Sequence, residues 1–320
     1  MASEIIISDI TFPTPSSSSV QPLLSLLDSH LPFSLPVLRR IQFALQFPGG
    51  YSRHTHILHC YYPDDSVSSK HFVAAYVDLS RGPETQVWIY SSIEDSSSTL
   101  DLSNVQTGVD ETELKACDEL LGALLKRIRR ITGENETEVK KWILFGSVNE
   151  VTRQGMFRCG VQMNKTGSVP QDLEWEFCGK WVFRIEELED IIKGVLGKRE
   201  GMKWDVLKEG DVPVVQSRTG IFRSRETLMK ISSVVVRLVE GGRPVAWGFL
   251  GYDGTLISLH VEEEYRRMGL AKAVACKVMK ENLSKYGDDG WGAADVFVEN
   301  EKSQALCKSI GGVMRWTLSW

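Results

Sequence analysis

The sequence predicts a mixed α/β chain of two domains, and three observations carry that expectation. At 320 residues the chain suits about two domains, each large enough for its own core. Short runs with apolar residues alternating in twos are interleaved with longer runs that repeat every three or four. The composition, 42% hydrophobic, 25% charged and 9% aromatic, is that of an ordinary globular protein.

The elements follow in order. Residues 1–35 mix an apolar patch, a loop-like tract in which Pro13 and Pro15 lead into Ser16 to Ser19, and a helical run at 23–31. Strands are expected at 54–61 (HTHILHCY), 71–79 (HFVAAYVDL) and 86–92 (QVWIYSS), separated by turn-rich segments. The serine-rich segment 94–104 reads as a loop. The clearest helix spans about 111–131, where Leu114, Cys117, Leu121, Leu124, Ile128 and Ile131 line one face. Its first turn is acidic, its last turn basic, and Gly133 stops it. A strand at 142–148 (WILFGSV) and a helix at 184–196 complete this half. The boundary falls near 205, giving domains 1–205 and 206–320.

The second half is denser. A helix at 225–231 is followed by strands at 233–240, 245–251 and 255–261, joined by the turns GGRP and Asp253-Gly254. A helix at 269–286, a strand at 294–300, a helix at 302–310 and a last strand then alternate to Trp320. This pattern predicts a mixed sheet flanked by helices.

Charge and composition exclude several classes. The net charge of −5 gives the whole molecule no footprint for nucleic acid or an anionic membrane. The basic group Lys126, Arg127, Arg129 and Arg130 ends a helix, where cations meet the helix dipole favourably. The six cysteines have no CxxC pair and read as reduced, mostly buried thiols. The opening MASEIIISDITFPTPSSSS lacks a signal-peptide pattern, and no run approaches a membrane span of roughly 18–20 residues. A soluble cytoplasmic or nuclear protein is expected. On a strand, His54 and His56 share a face that His59 does not, so no metal site is expected.

The segment that carries chemistry is EEEYRRMGLAKAV at 262–274, between a strand and a helix. A helix start leaves about four N–H groups unpaired and carries the positive end of the dipole, so it attracts an anion. Gly269 lets an anion approach the backbone, Ala271 does not block it, and Arg266, Arg267 and Lys272 add charge. A pyrophosphate fits these features. Neither GxxxxGK[ST] nor GxGxxG is present, so the nucleotide P-loop and the dinucleotide fingerprint fail on spacing.

Residues 218–320 resemble the GNAT superfamily of acyl-CoA-dependent N-acyltransferases, most of all its glycine N-acyltransferase-like branch. The resemblance rests on GRPVAWGFLGYDGTLISLHVEEEYRRMGLAKAV, with Arg266, Gly269 and Ala271 in the R/Q-x-x-G-x-G/A positions. A second match follows at Asn300, Ser303, Leu306, Cys307 and Gly311. The resemblance implies an acetyl-CoA or other acyl-CoA co-substrate and no metal. Leu259 to Val261 would pair with the pantetheine arm. Arg266, Arg267, Met268, Gly269, Leu270, Ala271 and Lys272 would hold the pyrophosphate, with Asn300 and Ser303 flanking the thioester end. It further implies an amine attacking the thioester directly, with a small-molecule amine or amino acid as acceptor. A protein acceptor, or a non-catalytic acyl-CoA-binding scaffold, are the alternatives.

Two positions depart from the family pattern. Where many relatives carry Glu or His at the start of the strand, this chain has Thr255. Asp253, of the same strand parity as Thr255, is then a candidate base or a turn residue. His260 has a suitable proton affinity but the opposite parity. Where many relatives carry an acidic Tyr, this chain has Cys307, a candidate acid or a packing residue. The strand–helix order of the N-terminal half permits a degenerate copy of the fold; lacking R-x-x-G-x-G/A, it is expected to shape the acceptor pocket or the domain interface and to bind no CoA.

Overall fold

The structure, a computed structural model, describes residues 4–12, 17–63, 70–96, 110–134, 142–162, 177–188 and 201–320. The chain divides into two compact units, residues 1–179 with 315–320, and residues 180–314.

Unit 1 is built on strands β1 (Ile6–Thr11), β2 (Thr55–Tyr61), β3 (Phe72–Asp78), β4 (Val87–Ser91) and β5 (Phe145–Gly146), in that spatial order. The pairs β1–β2, β2–β3 and β3–β4 are antiparallel, and β4–β5 is parallel. β3 is buried along its whole length because both faces are covered. Phe72, Ala74 and Tyr76 point to one face, against Val20, Leu23 and Leu27 of helix Ser17–Asp28 and Val37, Leu38 and Ile41 of helix Leu35–Gln46. Val73, Ala75 and Val77 point to the other, against Leu120, Leu124, Ile128 and Ile131 of helix Glu111–Glu134. One period-two strand thus feeds two cores.

The strands expected at 54–61, 71–79 and 86–92 and the helix expected at 111–131 are present within a few residues. Ser17 to Ser19 open a helix where a loop was expected. The strand expected at 142–148 is broken. Ser147 turns to φ 55, so β5 stops at Gly146 and β6 (Val148–Asn149) pairs instead with Leu318 and Ser319 at the end of β13 (Val313–Ser319). Helix Glu150–Arg158 follows, capped by Asn149, whose side chain accepts from the Val151 N–H at 3.0 Å. The expected helix at 184–196 lies mostly outside the described residues; within them, Ile185–Glu187 forms one 3-10 turn. Residues 97–104 of the expected loop also lie outside them.

In unit 2 the strand order is β7 (Cys178–Arg184, in this unit from Lys180), β12 (Trp291–Phe297), β11 (Thr255–Val261), β10 (Pro244–Leu250), β9 (Ser233–Leu238) and β8 (Met202–Asp205). The β8–β9, β9–β10 and β10–β11 pairs are antiparallel and β11–β12 is parallel, so the sheet is mixed. Asp205, at the domain boundary expected from sequence, ends β8 and pairs with Val235 of β9. Helix Leu270–Asn282 crosses from β11 to β12 and buries Leu270, Ala273, Val274, Val278 and Met279.

Candidate acyl-CoA site

The site begins with the β11–β12 pair. Their ladder is confined to Thr255–Ala293 and Leu256–Ala294, although β11 runs to Val261 and β12 to Phe297. Beyond Leu256 the two strands part, and the β11 edge turned toward β12 presents backbone N–H and C=O groups to the wedge.

β11 also carries a bulge. Phe249 pairs with Ile257 and Trp247 with His260, so three steps on β11 match two on β10, and Ser258 adopts φ 50. A non-glycine residue in this region costs on the order of 1–3 kcal/mol, and such costs concentrate at functional sites. The bulge corrects the parity expected from the sequence. Trp247 and Phe249 share a face of β10, so Ile257 and His260 share a face of β11, and Thr255 lies on it too. Leu256 and Leu259 take the opposite face, beside Val274 of the crossover helix. A Cβ built at Gly248 would stand 3.0 Å from Val274 Cγ1 and 3.2 Å from Leu259 Cδ1.

After Val261 the chain makes a 3-10 turn, Glu263–Tyr265, held by Arg243 on Glu264 at 2.8 Å. Arg267 then takes φ 61 and Gly269 φ 78, so two left-handed residues within three aim the chain into helix Leu270–Asn282. Gly269 meets this demand without a Cβ penalty. No side chain caps the helix, and its first backbone bond is Ala273 N–H to the Gly269 carbonyl. The first-turn amides therefore point outward at the positive end of the dipole. Arg266, Arg267 and Gly269 are exposed, Ala271 and Lys272 half-buried, and Leu270 buried as the anchor. Arg266 Nε also donates to the Val261 carbonyl at 3.1 Å, which holds the arginine beside the strand end. These groups fit a pyrophosphate in kind.

The remaining candidates separate. Asn300 caps helix Glu301–Ser309, its side chain accepting from the Ser303 N–H at 3.1 Å. Asp253 is buried and accepts from the Thr255 N–H at 3.2 Å, closing the turn between β10 and β11. Cys307 is buried in the core, and burial pushes its thiol up to about 12. Such a thiol holds its proton too tightly to serve as an acid near neutrality. His260 is half-buried, stacked on Trp247 at 4.7 Å, and burial holds its imidazole below the usual range. Of the three candidate acid–base residues, His260 alone combines a suitable affinity with the face that also carries Thr255.

Sequence reasoning missed an ion pair on the same sheet. Lys180 Nζ, fully buried on β7, stands 2.5 Å from Asp295 Oδ1 on β12. Asp295 lies just past the last β11–β12 pair. Nothing local announces it, since its partners are distant in sequence.

Unit 1 repeats the plan without the Arg-x-x-Gly-x-Ala junction. β4 and β5 pair only at Val87–Phe145 and Trp88–Gly146, and an asparagine again caps the following helix. There Glu94 lies buried, accepting from Thr152 Oγ1 at 2.6 Å and the Ser91 N–H at 3.1 Å. The carboxyl thus links the end of β4 to the start of helix Glu150–Arg158.

Among the described residues no group of His, Cys, Asp and Glu is placed to hold a metal. His56 pairs with Asp9 at 2.9 Å, His59 stacks on Tyr61, and Arg53 donates to His54. No helix among the described residues is long and apolar enough to cross a membrane. None of the six cysteines is joined in a disulfide.

A mixed sheet with a parted parallel pair, a bulged strand and an uncapped glycine-led helix defines a GNAT-type acyltransferase fold. The comparisons agree. Residues 7–171 match the family model described as the acyl-CoA N-acyltransferase verG N-terminal domain, and residues 235–320 match that of FR47-like proteins. The chain belongs to the acyl-CoA N-acyltransferase family that the first of these models describes. No curated protein matches it. A solved Drosophila protein is similar over 97% of both chains, at 16% identity and TM-score 0.59, a likeness of fold alone. A tandem GNAT protein from the clavulanic acid biosynthesis pathway covers 98% of this chain and 96% of its own, at 9% identity and TM-score 0.49.

Proposed function

We propose that unit 2 is an acyl-CoA-dependent N-acyltransferase domain, with acetyl-CoA as donor and a small amine or amino acid as acceptor. The observation that carries this reading is the junction at Gly269, where a helix start without a side-chain cap, flanked in the chain by Arg266, Arg267 and Lys272, follows the parted β11–β12 pair. Backbone from Arg266 to Lys272 would take the pyrophosphate, and Leu259 to Val261 would pair with the pantetheine amides. The paired motifs at Gly269 and Asn300 support a place near the glycine N-acyltransferase-like branch.

Bound acyl-CoA supplies an activated acyl carbon. His260 takes the proton that the attacking amine must shed and returns it to the departing CoA thiolate, a role its neutral, half-buried ring suits near pH 7. Backbone N–H groups freed at the Ser258 bulge are the donors available to a developing oxyanion. Asp253 holds the turn and Cys307 packs the last helix.

Gly269→Glu tests the reading, because it places a carboxylate where the pyrophosphate would lie and strains a left-handed position. Acetyl-CoA binding should be lost while the thermal transition remains cooperative; retained affinity would rule out this placement. A second reading, acyl-CoA binding without turnover, is favoured by Thr255 and the inert Cys307 at positions that carry acid–base groups in relatives. Thiol release from acetyl-CoA with a panel of amino acids and aralkylamines separates the two.

A further inference from the structure

We infer that Glu262, clamped by Arg218, is a positioning residue that governs the proton affinity of His260; the inference rests on the acyl-transfer reading above. The geometry assigns each partner a part. The His260 ring is stacked on Trp247 with 22° between planes, so its orientation is fixed by β10. Its Nε2 is buried, has no hydrogen-bond partner among the described residues, and stands 3.7 Å from Glu262 Oε2. Glu262 is itself held: Arg218 Nε reaches its two oxygens at 3.1 and 3.4 Å. Arg218 comes from the segment after helix Val212–Ser217 and is steadied by Ser217 Oγ at 3.3 Å. The other cation acting on the ring is Arg266, from the turn before the cradle.

The imidazole therefore sits among one carboxylate and two guanidiniums, on a strand face that the bulge turns toward Thr255. Burial lowers its proton affinity, Glu262 opposes that, and Arg266 and Arg218 reinforce it. A base that must collect a proton and release it again near neutrality needs this balance. Glu262 steadies the imidazolium once formed, and Arg218 limits how strongly it does so. Charged groups from the end of β11, the 218 segment and the 266 turn thus act on one ring. A purely structural ion pair would tie the 218 segment to the strand end without tuning the ring.

Opposite responses distinguish the two roles. Glu262→Gln removes the group that favours the imidazolium, so His260 should titrate lower by about one pH unit, the scale of a charge within 4–6 Å. Arg218→Met frees the carboxylate to act on the ring, so His260 should titrate higher. The test is a proton–carbon NMR titration of the full chain labelled at histidine, with His260→Gln identifying its signal among the six. Opposed shifts support the inference; unchanged or parallel shifts overturn it. Should Glu262→Gln fail to fold, Glu262→Asp withdraws the carboxylate and should give a smaller downward shift, and no shift in that variant overturns the inference equally. Acetyl-CoA titration of the same wild-type sample is independent. Absence of binding there overturns the acyl-transfer reading, whereas a flat histidine response overturns this inference alone.

Discussion

At the scale of single residues, three side chains show environment deciding chemistry. Cys307 and His260 are both ordinary titrating groups by type, yet burial takes the thiol up to about 12 and out of use. The same effect moves the imidazole down and keeps it a free base. Glu94 is the third. Burial, only partly offset by Thr152 and Ser91, raises its carboxyl from 4.5 to about 8. Folded chain then binds this proton more tightly than unfolded chain, so stability falls as pH rises from about 4.5 to about 8. Glu94→Gln keeps the shape and removes the ionisation. Thermal melts between about pH 5 and pH 9 should show a flatter profile for the variant and a higher midpoint than wild type at the alkaline end. A parallel decline in both proteins would place the pH dependence elsewhere.

At the scale of elements, what the sequence revealed followed from how regular each element is. β2, β3 and β4 were legible because their runs are short, rich in β-branched and aromatic residues and bounded by turn signals, and helix Glu111–Glu134 because its stripe recurs over about five turns. Helix Leu35–Gln46 was not, because it buries Arg39 and Arg40. Arg40 is accommodated by the Gly50 carbonyl at 3.2 Å, the Tyr76 hydroxyl at 2.7 Å and the Tyr76 ring at 3.7 Å, partners that local sequence does not display. The junction at Gly269, proposed to take the pyrophosphate, was legible because glycine, arginines and helix start are contiguous. The face of His260 was not, because Ser258 adopts its left-handed turn without glycine to announce it. Two predictions belong at this scale. Leu124→Ala removes a fully buried side chain from the helix–sheet core and should cost ~2–5 kcal/mol in urea denaturation. Asn300→Ala loses the cap on helix Glu301–Ser309 and should cost about 1 kcal/mol, which Asn300→Asp should largely restore. Equal losses in both Asn300 variants would show that the cap is not the stabilising contact.

At the scale of the whole molecule, each unit carries the same plan: a parallel strand pair joined at two positions, a crossover helix, and an asparagine-capped helix after the second strand. The plans differ where it matters for ligand binding. Unit 2 leaves the wedge bordered by uncapped amides and cations, whereas in unit 1 Glu94 links the parted strand end to the following helix. There the carboxyl already takes up the strand-end Ser91 N–H and the Thr152 hydroxyl that an anion would need, so unit 2 alone should bind acyl-CoA. Calorimetric titration of the full-length protein with acetyl-CoA, with free CoA as the comparison, tests this most directly. Saturable binding at one site per chain, abolished by Gly269→Glu, is the expected result. No heat of binding at about millimolar ligand, or two equivalent sites per chain, would contradict it.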